Sequence, residues 1–304
     1  IPMGAYTRVV REDQSRKDLL FAGTELGVYI SWNGGQAWEP FQLNLPVTPI
    51  NDLMVHQNDL VVATSGRSFW ILDNLNLLAQ YEESGKAQVY QPEDLVYGSW
   101  GSALNSNSAD GTSDFEGVNP ANGVVLYYEL PKMEDDEELT LEITNEKGEL
   151  IRTLSSKSAP GFQRYAGGPS PEPTIGKNEG LNRFVWDTRH HNMPGIPTAY
   201  IEASYNGHKV PPGTYKMTLK FKDEVLSATA NILPNPIFEM ESGQYEAFDQ
   251  EMMQMEVTLT KMHNMVNQLK GIQDQLKEVI SDVENEALKK EGQEIIAALD
   301  AWDK

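Results

Sequence analysis

The hydrophobic period of this chain changes once, and the change separates a β-rich part from a helical tail. In the run "TYKMTLKF" at 214–221, apolar and polar residues alternate. Alternation with a period of two is typical of a half-buried antiparallel strand. Beyond residue 236 the apolar residues instead recur at four-three spacing, which is typical of a helix that packs along one seam. The pattern predicts a mainly β protein with an α-helical tail.

The tail carries the longest regular pattern in the sequence. Its seam consists of Phe248, Met252, Met255, Leu259, Met262, Val266, Leu269, Leu276, Ile280 and Val283. Gly271 interrupts it and costs about 1 kcal/mol relative to Ala in a helix interior. A turn at Gly271 is the competing interpretation, but the phase continues across it and favours one helix. A second helix is predicted at roughly 286–302, so residues 237–304 are expected to form a helical hairpin.

Two β-rich segments precede the tail. Residues 1–80 contain short strands separated by Gly, Asn, Asp or Pro, which predicts an antiparallel meander too short for a complete propeller. Residues 121–236 contain six or seven further strands, which predicts a β-sandwich. The connection at 81–120 includes a Ser-, Asn-, Asp- and Gly-rich stretch with few apolar residues, so we expect a linker or loop there.

Composition and missing motifs exclude several classes of function. A net charge of -21 argues against nucleic acid as a partner, because binding phosphates requires a basic surface. The chain has no cysteine, which excludes disulfides and thiolate chemistry. No apolar run is long enough to span a membrane. The sequence also has no phosphate-binding loop, dinucleotide-binding glycine motif, nucleophile elbow or HExxH motif, so no cofactor is predicted.

The stretch "SWNGGQAW" resembles the Asp-box of BNR repeats. The matching residues are Ser31, Asn33, Gly35 and Trp38. Asn33 replaces the usual Asp, and Ala37 replaces the usual Thr. A short polar side chain at position 33 can bond backbone amides of the turn, and the Trp can fold back against the hairpin. The residue types therefore favour a structural turn over a catalytic loop.

Two further stretches extend the resemblance. The phrase that follows is similar to the closing repeat of bacterial sortilin-like propeller proteins at Thr64, Gly66, Arg67 and Trp70. Ser65 stands where His is common. Residues 180–236 resemble the Ig-like fold of FlgD-type domains, whose Gly-x-Asn-x-x-x-Trp-Asp strand is matched by Trp186 and Asp187. The resemblance implies a β-propeller blade remnant, an Ig-like β-sandwich and a C-terminal helical hairpin.

The resemblance also implies a function. We expect a non-catalytic accessory or interaction region of a larger secreted or periplasmic propeller protein. Its expected partners are the rest of that propeller and a protein or glycan. The chain begins with Ile rather than Met, so a signal peptide is expected upstream of it. The alternative is part of a glycoside hydrolase whose active site lies mostly in absent blades, and the third option is a structural spacer.

No catalytic or metal-binding residue is predicted. A glycosidase needs two carboxylates on either side of one bond, and the candidates are Glu25, Asp52, Asp73, Asp187 and Glu202. Their spacing singles out no pair. His190 and His191 follow Asp187, but adjacent histidines point in different directions on an extended chain, which favours a polar loop. The tail methionines at 252, 253, 255, 262 and 265 could form an adaptable surface, but three of them lie on the seam, which favours core packing.

Overall fold

The computed structural model describes residues 1–98, 120–159, 162, 164–197, 199, 204–238, 240–241 and 243–301. Within these residues the chain forms β-sheets as far as Leu233 and two long helices after it. The expected mainly β protein with a helical tail is thus confirmed. Of the helices in these residues, none combines the length and the apolar character needed to cross a membrane.

The first two sheets are antiparallel meanders packed against each other. The first contains β1 (Thr7–Glu12), β2 (Leu20–Thr24), β3 (Val28–Ser31) and β4 (Glu39–Pro40), and the second contains β5 (Ile50–His56), β6 (Asp59–Thr64) and β7 (Phe69–Leu72). A four-stranded meander is the form of a propeller blade. Phe21, Ile30, Ile50 and Leu60 belong to the shared core. A Cβ atom at Gly23 would lie 2.7 Å from Ile50 Cγ2, so the glycine permits the close approach of the two sheets.

The connection after the meanders differs from the expected loop. A short helix, α1 (Asn76–Gln80), is followed by the strands β8 (Gln88–Val89) and β9 (Leu95–Val96). These strands form because residues 87–97 include apolar side chains that pack against the core of the following sandwich. The Ser- and Asn-rich stretch comes later, at 101–123, and all of it except residues 120–123 lies outside the described residues.

The next strands form a two-sheet sandwich. They are β10 (Val124–Leu130), β11 (Thr140–Asn145), β12 (Leu150–Ser155), β13 (Gly180–Trp186), β14 (Gly213–Phe221) and β15 (Glu224–Leu233). One sheet has the order β13-β10-β8, and the other has the order β12-β11-β14-β15-β9. As the alternation predicts, Tyr215, Met217, Leu219 and Phe221 are all buried in the core.

The tail consists of two helices, α2 (Gln244–Asp282) and α3 (Glu286–Asp300). Helix α2 continues through Gly271, so the prediction of a single helix is confirmed and the competing turn is excluded. The side chain of Asn285 caps α3 by accepting hydrogen bonds from the amides of Ala287 and Leu288. The helices cross closely at Gly292, where a Cβ atom would collide with the Ile280 side chain.

In the first half of the predicted seam, from Phe248 to Val266, only alternate positions face the rest of the protein. Met252, Leu259 and Val266 are half-buried. In contrast, Phe248, Met255 and Met262 are 53%, 56% and 48% exposed. Core packing is therefore the wrong interpretation for Met255 and Met262. The reason is that α2 lies on polar loops of the sandwich, which it contacts through the polar residues between the seam positions.

Candidate functional site

The Asp-box-like turn is closed by its own side chains. Ser31 Oγ accepts a hydrogen bond from Gly35 N at 2.9 Å, and Asn33 Oδ1 accepts one from Ala37 N at 2.9 Å. The Trp38 indole donates to Gly35 O at 3.0 Å. Gly35 has a φ of 90°, which a residue with a side chain rarely adopts. These contacts give Asn33 and Trp38 the geometry of a hairpin lock.

The second tryptophan turn is built in a similar way. Thr64 Oγ1 accepts from Arg67 N at 3.0 Å and donates to Ser68 O at 2.6 Å. The Trp70 indole donates to Arg67 O at 2.8 Å. Gly66 has a φ of 82°. In both turns an indole N–H thus bonds the carbonyl three residues earlier. The side-chain oxygens of Ser31, Asn33 and Thr64 bond within their turns.

Trp186 and Asp187 lie at the end of β13 and have structural contacts. The Trp186 ring is fully buried, and its indole donates to Arg189 O at 3.1 Å. Asp187 Oδ1 accepts from Arg152 Nη1 at 2.8 Å. Arg152 is only 3% exposed and also binds Glu172, with Nη2 at 2.6 Å from Oε2. Burial alone would raise the pKa of Glu172, but His191 and Arg152 lower it to about 2.

The candidate glycosidase carboxylates are dispersed over the fold. Glu25 lies between β2 and β3, Asp52 on β5, Asp73 after β7 and Asp187 after β13. Glu202 lies outside the described residues. Asp52 pairs with Arg11 at 2.9 Å, whereas burial and the nearby Asp59 raise the pKa of Asp73. Among the four described carboxylates, no two share a hydrogen bond or an ion-pair partner.

A groove of about 530 Å³ lies beside the Asp-box-like turn. We call it the aromatic groove, and its lining includes Arg16, Trp32, Asn33, Trp38, Glu39, Tyr81, Glu82 and Glu83. Its two walls come from the first meander and from the chain that follows α1. The groove could not be predicted from the sequence, because Tyr81 is distant in sequence from Trp32. The local signal is the Trp inside the Asp-box-like turn.

The aromatic side chains of this groove are held in fixed positions. The Trp32 and Tyr81 rings are tilted by 51° with their centres 5.6 Å apart. The Arg16 guanidinium lies 5.2 Å from the centre of the Trp32 ring. The same guanidinium donates to Leu78 O at 3.1 Å and to Tyr81 O at 2.6 Å. The Trp32 indole donates to the Glu39 carboxylate. The groove is therefore organised before any ligand arrives.

A second group of candidate functional side chains lies between the sandwich and α2. This histidine cluster consists of His190, His208, Asp249 and Glu256. The two histidines lie on neighbouring loop segments, and His190 N donates a hydrogen bond to His208 O at 3.1 Å. A Cβ atom at Gly207 would lie 2.6 Å from His191 O, so glycine allows the loops to approach this closely. Asp249 and Glu256 are two helical turns apart and face the same side of α2.

His208 is clamped between the two carboxylates. Its Nε2 lies 2.9 Å from Asp249 Oδ1, and its Nδ1 lies 3.0 Å from Glu256 Oε1. The second contact has the distance of an ion pair but not the alignment of a hydrogen bond. Burial lowers the pKa of His208, but the two carboxylates outweigh burial and raise it to about 9. The pKa of Glu256 is lowered, because the contacts with His208 outweigh burial.

His190 stacks on His208 but has a different environment. The two rings are 4.4 Å apart and inclined by 16°. Burial and the neighbouring His208 lower the pKa of His190, which favours the neutral ring. Its Nε2 is buried and has no hydrogen-bond partner among the described residues. A neutral imidazole with a free buried nitrogen is a potential metal ligand or proton acceptor.

The adjacent His191 faces away from the cluster. Its Nε2 accepts a hydrogen bond from Thr153 N at 3.0 Å, and its Nδ1 lies 3.6 Å from Glu172 Oε1. Asp187, His190 and His191 are close in sequence but separate in the fold: Asp187 and His191 contact the Arg152–Glu172 pair, whereas His190 joins the histidine cluster. The other members of the cluster were missed, because Asp249 and Glu256 lie in a segment that shows only a helical pattern.

Further contacts fix α2 on the same loop. His263 Nδ1 lies 2.8 Å from Pro194 O, and the Asn267 amide donates to Gly195 O at 2.8 Å. A groove of about 620 Å³ runs along this junction, with His190, Glu256 and Met253 in its lining. The histidine cluster is therefore at a junction between two parts of the fold and beside a surface groove.

Comparisons with known proteins do not identify a family for this chain. No protein-family model matches the sequence, and no curated protein does. Among solved structures, the chain is similar to the extracellular domain of a hybrid two-component system from B. thetaiotaomicron, with a TM-score of 0.20 and 11% identity. The match covers 76% of this chain and 26% of that chain, so this chain spans about a quarter of it. A likeness of this TM-score supports no inference about function.

Proposed function

We propose that this chain is a non-catalytic accessory region of a larger secreted or periplasmic propeller protein of the BNR-repeat, sortilin-like class, and that it binds glycan in the aromatic groove. The class is suggested by the two tryptophan turns, whose residues match the family motifs and bond within the turn. The glycan is suggested by one observation: three aromatic side chains line an open groove of about 530 Å³ with polar groups around them.

The groove has the chemical character that a sugar ring requires. Aromatic rings offer flat apolar surfaces, and the rings of Trp32, Trp38 and Tyr81 can pack against the apolar face of a pyranose. Asn33 and Glu82 are exposed at the groove and can bond hydroxyl groups. Arg16 and Glu39 already hold Trp32 in place, so ligand binding costs little conformational entropy at that ring.

The net charge of the groove lining indicates which class of sugar it can bind. Glu39, Glu82 and Glu83 bring three carboxylates to the lining, whereas Arg16 brings one guanidinium that already bonds two carbonyls. An excess of negative charge repels sialic or uronic acids. The proposed ligands are therefore neutral glycans.

The runner-up function is glycoside hydrolysis in the same groove. It is favoured by the presence of several carboxylates in one groove, because a glycosidase needs two carboxylates on either side of the scissile bond. Two observations support a binding role instead: Glu39 is engaged by the Trp32 indole, and Glu82 and Glu83 are exposed. The third option is a structural spacer, but a spacer role does not explain the preorganised aromatic groove.

One screen separates the three. The whole chain is applied to an array of neutral and acidic glycans, and every glycan that binds is then incubated with the protein and analysed for cleavage products. The proposal predicts binding of neutral glycans without cleavage. Cleavage that is lost in Glu82→Gln or Glu83→Gln would establish the hydrolase, and no binding to any glycan would leave the spacer.

A further inference from the structure

We infer that the histidine cluster binds a divalent transition-metal ion of the zinc class, with His190, His208 and Asp249 as its ligands. This site differs from the sequence-based expectation that no metal is bound, and it is independent of the aromatic groove. It follows from the positions of the donor atoms, from one unpaired buried nitrogen and from the charge around them.

The donor atoms are already close together. One ring nitrogen from each histidine and one carboxylate oxygen of Asp249 all lie within 4.8 Å of one another. In a tetrahedral zinc site with bonds of 2.0–2.1 Å, ligand atoms are about 3.3 Å apart. A bound ion would draw the donors, which lie within 4.8 Å of one another, to this separation. Imidazole and carboxylate ligands together suit zinc, nickel and copper ions.

The unpaired nitrogen of His190 is the second observation. His190 is 8% exposed, and its Nε2 has no hydrogen-bond partner among the described residues. Buried polar atoms are almost always bonded, so one without a partner requires an explanation. A metal ion held between His190 and Asp249 would provide that partner.

The cluster is also arranged to hold positive charge and to orient a ligand. Asp249 and Glu256 approach His208 from α2, one at each ring nitrogen. Metal-bound histidines typically direct their second ring nitrogen to a carboxylate, which fixes the ring and strengthens the bond. If His208 Nε2 binds the metal beside Asp249, then Glu256 at 3.0 Å from Nδ1 is in the position of that orienting carboxylate.

The ligands would join separate parts of the fold. His190 and His208 belong to loops of the sandwich, whereas Asp249 belongs to α2. A bound ion would therefore fasten the helical tail to the sandwich. His190 and Glu256 also line the groove of about 620 Å³, so the cluster borders a surface groove.

The test measures binding of Zn²⁺ alone to the metal-free whole chain by isothermal titration calorimetry, with Co²⁺ as a spectroscopic substitute. We expect one equivalent of Zn²⁺ per chain and a visible Co²⁺ spectrum of a tetrahedral site. His190→Ala and Asp249→Asn should each lose more affinity than the roughly 10–100-fold that removal of an outer-shell carboxylate costs. Glu256→Gln should show that smaller loss.

Two histidines serve as matched controls. His191→Ala removes the neighbour that bonds Thr153, and His56→Ala removes an exposed histidine on β5; both should bind Zn²⁺ as the native chain does. Circular dichroism confirms that each variant is folded, and Asp249→Asn keeps the size of the native side chain. Failure of the native chain to bind Zn²⁺ or Co²⁺ would overturn the proposal. Retained binding in folded His190→Ala and Asp249→Asn would overturn it equally.

Discussion

The Arg16 guanidinium lies 5.2 Å from the centre of the Trp32 ring and donates a hydrogen bond to Tyr81 O at 2.6 Å. One side chain thus supports both walls of the aromatic groove, which come from distant parts of the sequence. Because the contact fixes the indole before a ligand binds, Arg16 is a positioning residue for the proposed glycan site.

Replacement of Arg16 should affect both stability and binding. Arg16→Ala removes two hydrogen bonds from a charged, partly exposed donor, so we expect the free energy of unfolding to fall by about 1–2 kcal/mol. Glycan affinity should fall as well, because Trp32 loses its support. Urea unfolding and calorimetry measure the two effects. Arg8→Ala is the control, since Arg8 lies 5.5 Å from the centre of the Tyr6 ring, outside the groove; similar losses in both variants would contradict the assignment.

The buried Arg152 of the sandwich should contribute far more to the free energy of unfolding than the surface residue Arg11. Arg152→Ala leaves Glu172 and Asp187 without their shared cation. These carboxylates are partly exposed, so we expect a loss of about 2–3 kcal/mol, below the 3–5 kcal/mol typical of fully buried pairs. Arg11→Ala breaks an exposed pair with Asp52 and should cost at most about 1 kcal/mol. Equal unfolding midpoints in urea for the two variants would refute this ranking.

Acid stability should depend on Glu172. Its pKa is about 2 in the folded protein, compared with about 4.3 for an unperturbed glutamate. Because the folded-state pKa is the lower one, the stabilisation is fully present above about pH 4.3 and is lost as the pH falls toward 2. Unfolding free energies measured from pH 5 to pH 2 should therefore fall less steeply in Glu172→Gln. Parallel curves for the two proteins would show that Glu172 is not the source.

Two glycines should respond in opposite directions to the same substitution. Gly271 lies inside α2, and a Cβ atom there would meet nothing within 4 Å. Gly271→Ala should therefore stabilise the protein by up to about 1 kcal/mol. Gly207→Ala would place a Cβ atom 2.6 Å from His191 O, and we expect it to destabilise by about 1–3 kcal/mol. Thermal unfolding of both variants measures this, and destabilisation by Gly271→Ala would contradict the continuous helix.

The parts of the fold that could be predicted from the sequence are those determined by local residue patterns. The alternation in β14 identified the buried face of the strand, since a period of two follows directly from strand geometry. The phase of the tail seam identified α2 through Gly271. The residue types at Asn33 and Trp38 predicted the hairpin lock, because its hydrogen bonds join residues within one turn.

The contacts between segments that are distant in the chain could not be predicted from the sequence. Tyr81 lies in a stretch expected to be a linker, and its place in the aromatic groove depends on Arg16. His208 gains its role from Asp249 and Glu256, whose helical pattern gives no sign of a histidine partner. Met255 is exposed although it lies on the seam, because periodicity predicts a stripe on the helix but not the surface that covers it.

Binding of neutral glycan in the aromatic groove can be measured by titration calorimetry with a neutral glycan identified on the array. Three proteins are compared: the native chain, Trp32→Ala, and Phe69→Ala, which removes an exposed aromatic side chain outside the groove. We expect Trp32→Ala to abolish binding and Phe69→Ala to retain the native affinity. Equal affinities of the native chain and a folded Trp32→Ala variant would contradict it.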